Sequence, residues 1–303
     1  MTTNDGRILM GDPRSEAALE VLPVNVAANG WLSFSPKGGQ LAFVDREGDI
    51  KRWLLSERRE ATLVPHHATP RDWRLERWRW WKTETHPEFL TESQLVILHA
   101  DGCLTHWDGD RSSEREMRSS TTDTPNSQLA ISPDKITLAL NENADSVIVL
   151  STGEIGRTLA RVANAPTASA LAFSPDGREL AIGCQNGVIR LVNKATGKDR
   201  RTLVGHHTGA VAFAFAPDGL TLASAGHDGT ARLWDVQTGQ ELAILERRSG
   251  ALTALAFSPD GRILAVAGAP HVEGPTVSIY DSGPADEPIR GAHSPAITRL
   301  SHP

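Results

Sequence analysis

A short phrase that returns every 42 residues constrains this chain more than any other feature of its sequence. The phrase reads Phe-Ser-Pro-Asp-Gly or a close variant, and its prolines are Pro133, Pro175, Pro217 and Pro259. A fixed period of this length is typical of repeat proteins, in which each copy buries its apolar surface against its neighbours. We therefore expect one small structural unit per copy.

The residues around the phrase predict four strands in each copy. Proline presets φ for a tight turn and glycine takes the positive φ that closes it, so the phrase itself is a turn. Runs of β-forming residues flank it, as in Ala170–Phe173, Glu179–Ile182 and Val188–Leu191, and a second turn follows at Ala195–Gly197. A last strand completes the copy. Four short strands joined by tight turns predict an antiparallel blade.

One copy carries a distinctive set of polar residues, with His206 before its turn phrase and Ser224, Asp228 and Trp234 after it. This copy resembles a complete WD repeat, and weaker copies extend the resemblance over essentially the whole chain. The resemblance implies a β-propeller in which these four residues form a structural tetrad. In that tetrad a histidine from the loop leading into the blade bonds an aspartate in a hairpin turn. A hydroxyl and an indole N–H extend the network.

The same residue types also suit a different chemistry. Ser224, His206 and Asp228 match the composition of a catalytic triad for nucleophilic attack. However, no Gly-x-Ser-x-Gly nucleophile elbow surrounds Ser224, and the resemblance implies a role in folding. We therefore expect a structural tetrad and no catalytic residues.

The spacing and the resemblance together predict an all-β protein, a seven-bladed β-propeller of four-stranded antiparallel blades in a single domain, 1–303. The expected blades are approximately 31–66, 72–122, 127–163, 169–206, 211–247, 253–292, and 296–303 with 5–26. The two ends thus share the last blade, because residues 291–303 match a first strand and residues 5–26 match a third and a fourth strand. Its second strand is missing, either because the blade is incomplete or because the chain is a piece of a longer protein.

The second copy keeps only part of the pattern. Its turn proline is lost, but His66, Asp101 and Trp107 form a partial tetrad, with Ile97 where a hydroxyl would be. Most other copies lack these polar residues. We therefore expect the stability of those copies to come from aliphatic side chains packed between blades.

An unusual segment of the second copy alternates arginine with four of the chain's eight tryptophans. Its first residues, Arg71, Trp73 and Arg74, lie near the loop that leads into the blade, where family members commonly bind partners. Arginine and tryptophan are frequent anchors of protein interfaces, so these three residues are candidate partner contacts. The later pair, Trp78 and Trp80, falls on the innermost strand, where packing against the next blade is the expected role.

Charge and composition exclude several classes of protein. The formal net charge is −6, so the chain offers no overall basic field for nucleic acid. Its longest apolar runs are strand-sized, far shorter than a membrane-spanning helix. No basic segment followed by an apolar run opens the sequence, and Cys103 and Cys184 lie far apart. We therefore expect a monomeric cytoplasmic protein with free thiols and no membrane association.

The sequence carries no motif for a metal or a cofactor. It contains no His-Glu-x-x-His pair, no cysteine spacing typical of zinc sites and no phosphate-cradling Gly-rich loop. We therefore expect neither a metal nor a cofactor.

These features favour a non-enzymatic scaffold or sensing module whose loops bind other proteins or peptides. One alternative is an enzyme of the propeller type, a metal-dependent hydrolase or lyase, and another is an accessory domain of a larger signalling protein. A propeller enzyme needs acidic or histidine clusters on its inner strands. The inner strands here, such as Ala168–Phe173 and Leu252–Phe257, present mostly alanine, leucine, phenylalanine and threonine.

Overall fold

A computed structural model describes the chain at residues 8–10, 20–24, 32–45, 49–64, 86–98, 104–108, 113–118, 128–143, 145–152, 157–166, 168–268, 277–281 and 298–300. The chain divides into two compact units, residues 1–127 and residues 128–303. In the described ranges both units consist of β-strands joined by turns and loops.

The first unit contains three antiparallel sheets among its described residues. The smallest sheet has two strands, β1 (Ile8–Met10) and β2 (Glu20–Leu22). The next sheet has four strands in chain order: β3 (Leu32–Phe34), β4 (Gln40–Val44), β5 (Ile50–Leu54) and β6 (Arg59–Val64). The third sheet is also four-stranded: β7 (His86–Phe89), β8 (Gln94–Leu98), β9 (Leu104–Asp108) and β10 (Ser113–Arg118).

Among its described residues, the second unit contains four antiparallel sheets, each of four strands in chain order. The first is β11 (Leu129–Ile131), β12 (Thr137–Asn143), β13 (Ser146–Ser151) and β14 (Thr158–Ala163). The second is β15 (Ala170–Phe173), β16 (Glu179–Gly183), β17 (Ile189–Asn193) and β18 (Asp199–Leu203). The third is β19 (Ala210–Phe215), β20 (Thr221–Gly226), β21 (Thr230–Asp235) and β22 (Glu241–Arg247). The fourth is β23 (Leu252–Phe257), β24 (Ile263–Gly268), β25 (Val277–Asp281) and β26 (Thr298–Leu300).

Consecutive sheets within each unit pack face to face through apolar side chains. In the second unit, the sheets β11–β14 and β15–β18 share a core that includes Val147, Val149, Leu180 and Ile182. Because side chains alternate between the two faces of a strand, the other face of β15–β18 is free to pack on the following sheet. There Ala181 and Leu191 meet Leu222 and Trp234. Every residue of β16 and of β20 is consequently buried.

The recurring Ser-Pro-Asp phrase is a self-contained turn. The Ser174 hydroxyl donates to Asp176 Oδ1 at 2.6 Å, and the Arg178 N–H donates to the same carboxylate oxygen at 3.0 Å. The Glu179 N–H in turn donates to Ser174 Oγ at 3.0 Å. The corresponding bonds form in the copies that contain Ser132 and Ser258. Each of these three copies therefore satisfies the polar groups of its first turn with its own side chains.

The all-β class and the four-stranded antiparallel blades are confirmed, but the predicted number of seven is wrong. The described residues form six four-stranded sheets. Among the residues expected to make a seventh blade, 296–303 with 5–26, the described strands belong to two sheets. Strand β26 pairs with β25, with Leu300 opposite Ile279, whereas β1 and β2 pair with each other. That all the sheets form one domain stays a prediction.

Strand β26 pairs with β25 because the outer edge of β25 would otherwise have no neighbouring strand. An outer strand edge leaves backbone N–H and C=O groups without partners, and a fourth strand satisfies them. The residues that directly follow β25 contain Pro284, Pro288 and Pro295, and proline cannot donate to a ladder. The first strand-forming segment beyond these prolines is the one that pairs with β25. Its resemblance to a first strand does not decide which edge it joins.

The last sheet differs from the one before it in how well its two faces are covered. Leu264 and Val266 of β24 are fully buried in the core shared with β19–β22. The alternate residues Ile263, Ala265 and Ala267 are half-buried. The last sheet therefore has one well-covered face and one partly covered face.

The β20–β21 turn gives a test of how closely the sheets approach one another. Gly229 has φ +72°, and a Cβ at this position would lie 2.1 Å from the Arg248 carbonyl oxygen. Gly38 has nearly the same φ, +71°, but nothing within 4 Å of its would-be Cβ. We expect Gly38→Ala to lower the free energy of unfolding by about 1–2 kcal/mol, the cost of a left-handed residue. Gly229→Ala should cost at least about 3 kcal/mol because backbone must also move.

Denaturant unfolding followed by circular dichroism measures both values. Since the two glycines share their φ, the difference between the variants isolates the steric contact with Arg248. Equal losses in the two variants would contradict the close approach.

Candidate functional site

The four residues of the expected tetrad meet inside the sheet β19–β22. His206 comes from the loop before β19, Ser224 lies on β20, Asp228 lies in the β20–β21 turn, and Trp234 lies on β21. His206 Nδ1 lies 3.1 Å from each carboxylate oxygen of Asp228, and its Nε2 lies 2.7 Å from Ser224 Oγ. Trp234 Nε1 donates to the same Ser224 oxygen at 2.8 Å. The structure therefore joins all four side chains in one continuous network.

The protonation of this network follows from its donors and acceptors. The ionised Asp228 carboxylate can only accept, so His206 Nδ1 carries a hydrogen and donates to it. In the neutral ring Nε2 is then an acceptor for the Ser224 hydroxyl, whose oxygen accepts the indole N–H of Trp234. Burial lowers the pKa of His206 below its usual 6.5, although the neighbouring carboxylate acts in the opposite direction. The imidazole is therefore neutral at pH 7.

Asp228 is ionised and fully engaged. It accepts hydrogen bonds from the His207 N–H at 3.0 Å, from the Thr230 N–H at 3.0 Å and from the Thr230 hydroxyl at 2.8 Å. Burial by itself raises the pKa of this carboxyl group, but the hydrogen bonds outweigh it and bring the pKa down to about 2. The aspartate thus ties the leading loop, through His206 and His207, to the hairpin turn.

The network continues beyond the four residues that the sequence suggested. The buried Arg232 donates from Nε to Thr230 Oγ1 at 3.0 Å and forms an ion pair with Glu241 on β22. Sequence reasoning missed Thr230, Arg232 and Glu241. Together they carry the hydrogen-bonded chain from the hairpin turn to the outermost strand.

A periodic signal could have found this ion pair. A cation on the third strand and an acid nine residues later recur in three sheets as the pairs Lys51–Glu60, Arg190–Asp199 and Arg232–Glu241. In each sheet the acid stands directly opposite the residue that lies two positions after the cation. This places both charges on one face of the hairpin as a diagonal cross-strand pair.

The glycine that precedes His206 has a physical reason. A Cβ at Gly205 would lie 2.7 Å from the nearest guanidinium nitrogen of Arg232 and 2.8 Å from Cη2 of Trp234. Only a residue without a side chain allows the leading loop to approach these two groups. The glycine and the histidine of this pair therefore serve the same packing arrangement.

In the last sheet, other residues take the equivalent places. Arg248 lies 42 residues after His206; it donates to Ser278 Oγ at 2.6 Å and forms an ion pair with Glu246. Tyr280 stands opposite Leu264 as Trp234 stands opposite Leu222. It is buried, and its hydroxyl donates to the Leu245 carbonyl at 3.0 Å. This sheet therefore joins its leading loop to its third strand through an arginine rather than a histidine.

Several residues singled out from the sequence lie outside the described residues. These are His66 and Asp101 of the partial tetrad, the candidate contacts Arg71, Trp73 and Arg74, the pair Trp78 and Trp80, and Cys103. The remaining member of the partial tetrad, Trp107, is buried on β9 and packs in a core with Ile97 and Phe89. Cys184 is a free buried thiol whose pKa is raised by burial.

The geometry leaves the serine of the tetrad without access to a substrate. Ser224 is fully buried, and its oxygen is held between Trp234 and His206. A nucleophile must reach the carbon that it attacks, which this hydroxyl cannot do. Among the described residues, no group of three or more histidine, cysteine, aspartate or glutamate side chains is arranged to hold a metal ion. In the same residues, no helix is long and apolar enough to cross a membrane.

Comparison with known families identifies the repeat. The family model described as WD domain, G-beta repeat matches residues 160–193, 197–235 and 239–281. WD repeats therefore occupy three consecutive positions of the chain. The second match contains His206, Ser224, Asp228 and Trp234, and the third contains Arg248 and Tyr280. The sequence-based prediction of WD repeats is thus confirmed.

Among solved structures, this chain is similar to a chain in the crystal structure of a mitotic checkpoint complex. The TM-score is 0.69 at 15% sequence identity, and the match covers 90% of this chain and 81% of that chain. At this identity the likeness concerns the fold, which is an all-β propeller of antiparallel sheets. No curated protein matches the chain by sequence.

The tetrad geometry gives a first test by mutation. Trp234 fills the core between two sheets, so Trp234→Ala should lower the free energy of unfolding by about 3–5 kcal/mol. Asp228→Ala should cost about 1–3 kcal/mol because it leaves buried donors without an acceptor. Trp234→Phe is the control, since it keeps much of the packing but removes the N–H, and it should cost less than Trp234→Ala. An unchanged melting temperature in either alanine variant would show that the tetrad does not stabilise the sheet.

The pKa shifts give a second test. The folded-state pKa of His206 lies below 6.5, so the unfolded chain binds more protons and stability falls as pH drops below about 6.5. Asp228 adds a second loss below its ordinary value of 3.8, as pH approaches about 2. In chemical unfolding at several pH values, His206→Asn should flatten the dependence between about pH 7 and 5. An unchanged slope in His206→Asn would argue against a buried neutral imidazole.

Proposed function

We propose that this WD-repeat protein is a non-enzymatic platform that binds other proteins or peptides. The proposal rests on the surroundings of the residues that look most reactive. His206, Ser224 and Asp228 have the composition of a catalytic triad, but their side chains are buried. Their hydrogen-bonding groups are engaged with one another and with Trp234 and Thr230. These residues therefore stabilise the fold and leave recognition to the surface.

The exposed parts of the second unit support this division. Strands β16 and β20 are buried throughout, while residues of the leading loop and of the neighbouring hairpin turn are exposed, among them His207, Thr208, Gln185 and Asn186. Loops on a rigid scaffold can vary without loss of the fold, so they are the usual place for binding residues.

Within this proposal, partners dock on the face that bears the loops leading into each first strand. Arg71, Trp73 and Arg74 are the proposed contacts, because arginine and tryptophan combine large buried area with directional hydrogen bonds. A monomeric state and a cytoplasmic location belong to the same proposal.

Capture and titration test the proposal. The purified chain is used as bait in an extract of its native source, the bound protein is identified and purified, and binding is measured by calorimetry. We expect saturable binding that the triple variant Arg71→Ala/Trp73→Ala/Arg74→Ala weakens at least about 30-fold, the effect of losing one strong anchor. The matched control Lys37→Ala/Arg59→Ala/Ile136→Ala removes two exposed cations and one exposed apolar side chain at or beside turns within the sheets, away from the leading loops, and should bind as the wild type does.

Two results would count against the proposal in different ways. Equal affinity of the triple variant and the wild type would show that these residues are not the contacts. Chemical turnover of the captured ligand by the purified chain would show that the protein is an enzyme.

A further inference from the structure

One segment of this acidic protein carries a positive charge. Residues 157–202 contain eight lysine and arginine residues but only three aspartate and glutamate residues. The rest of the chain contains 23 basic and 34 acidic residues. The overall charge of −6 therefore hides a strong asymmetry along the sequence.

The structure brings these cations together at one end of the sheet β15–β18. Arg178 lies in the β15–β16 turn, and Lys194 and Lys198 lie in the β17–β18 turn. In an antiparallel sheet with strands in chain order, these two turns lie at the same end. The Arg178 carbonyl accepts a hydrogen bond from the Lys194 N–H at 3.0 Å, so the two turns are in direct contact.

Three more cations extend the cluster along the outer strands. Arg200 and Arg201 are exposed on β18, the edge strand of its sheet. The β17–β18 turn also touches the preceding sheet, since a Cβ at Gly197 would lie 2.7 Å from the carbonyl oxygen of the exposed Arg161. These six cations form the basic surface: Arg161, Arg178, Lys194, Lys198, Arg200 and Arg201.

The carboxylates of this region do not cancel its charge. Asp176 accepts hydrogen bonds within its own turn, and Asp134 does the same and also pairs with Lys194 at 3.4 Å. Glu179 lies beneath Arg200, with 12% of its side chain exposed against 55% for the arginine. Asp199 forms an ion pair with Arg190, whose side chain is mostly buried. Asp218, in the β19–β20 turn that adjoins Pro175, is a further exposed acid. With Asp218 and Arg190 counted, seven cations stand against five anions, and the most exposed of the ion-paired side chains is Arg178, at 82%.

We propose that the basic surface docks an acidic segment of a partner protein, one rich in aspartate and glutamate. This inference rests on the proposed binding function and adds the chemistry of one partner. Complementary charge steers association and fixes orientation. A nucleic acid fits less well, because the negative charge of the remaining chain repels a long polyanion. The described residues of the surface also offer no aromatic side chain on which a base could stack.

The competing explanation is that the arginines only protect an edge strand. Charged side chains on an edge discourage pairing with the edges of other sheets. That role requires no ligand, so it predicts no saturable binding of an acidic peptide and no dependence on Arg178 or Lys198, which lie in turns.

Fluorescence anisotropy with a short labelled polyglutamate peptide tests the proposal on the purified full chain. We expect saturable binding at low ionic strength that weakens as salt is added. The variant Arg178→Glu/Lys198→Glu should raise the Kd at least about tenfold, since each exposed ion pair is weak but two charges are reversed. Both side chains are exposed, so circular dichroism should show an unchanged fold.

The matched control is Lys37→Glu/Arg247→Glu, which reverses two exposed cations outside the basic surface and gives the same net charge. Its Kd should stay within about twofold of the wild-type value. Equal weakening by the two variants, or no saturable binding by the wild type, would overturn the proposal. Stronger competition by a single-stranded oligonucleotide of equal charge would assign the surface to nucleic acid instead. If polyglutamate fails while the captured partner still binds, the acidic-ligand inference fails and the proposed function stands.

Discussion

A four-stranded sheet with two apolar faces needs a neighbour on each side, and the rest of this structure depends on that requirement. Side chains alternate between the faces of a strand, so a sheet such as β15–β18 cannot bury both sets by itself. The sheets on either side of it cover both faces, which is why every residue of β16 is buried. A repeat of 42 residues produces such sheets one after another, and each stabilises the next. What is left exposed are turns, leading loops and outer strands, where recognition can evolve without loss of the fold.

The polar network of β19–β22 fixes one arrangement of side chains within this apolar packing. A buried polar group costs free energy unless it is paired, so a network of this kind is useful only when every member finds its partner. Here Trp234, Ser224, His206 and Asp228 form one chain of donors and acceptors, and the pairing holds for one tautomer of the histidine. The last sheet uses Arg248, Glu246 and Ser278 for a similar connection. Two chemically different clusters thus hold a leading loop against its own sheet.

Much of the fold could be predicted from the sequence because the turn residues recur at a fixed period. Proline and the Asp-Gly pair mark where strands end, and the strands between them follow from their β-forming composition. The partner of β26 could not be predicted in this way. Three residues carry too little pattern to choose an edge, and the open edge of β25 decides the pairing. The count of seven blades failed for this reason.

The candidate site was partly visible in the sequence. His206, Ser224, Asp228 and Trp234 stand at spacings that one repeat makes recognisable, and the structure joins them. Thr230, Arg232 and Glu241 were missed because their contacts cross from one strand to the next, which a linear pattern does not show. The roles of His66, Asp101, Arg71, Trp73 and Arg74 stay predictions.

The uneven cover of the last sheet has a consequence for how the second unit comes apart. Leu264 and Val266 are sealed on one side, but Ile263, Ala265 and Ala267 on the other side keep partial access to water. Local opening of β23–β26 therefore exposes less additional apolar area than opening of β19–β22, and it costs less free energy. We therefore expect heating to open β23–β26 before β19–β22, the sheet that contains the tetrad.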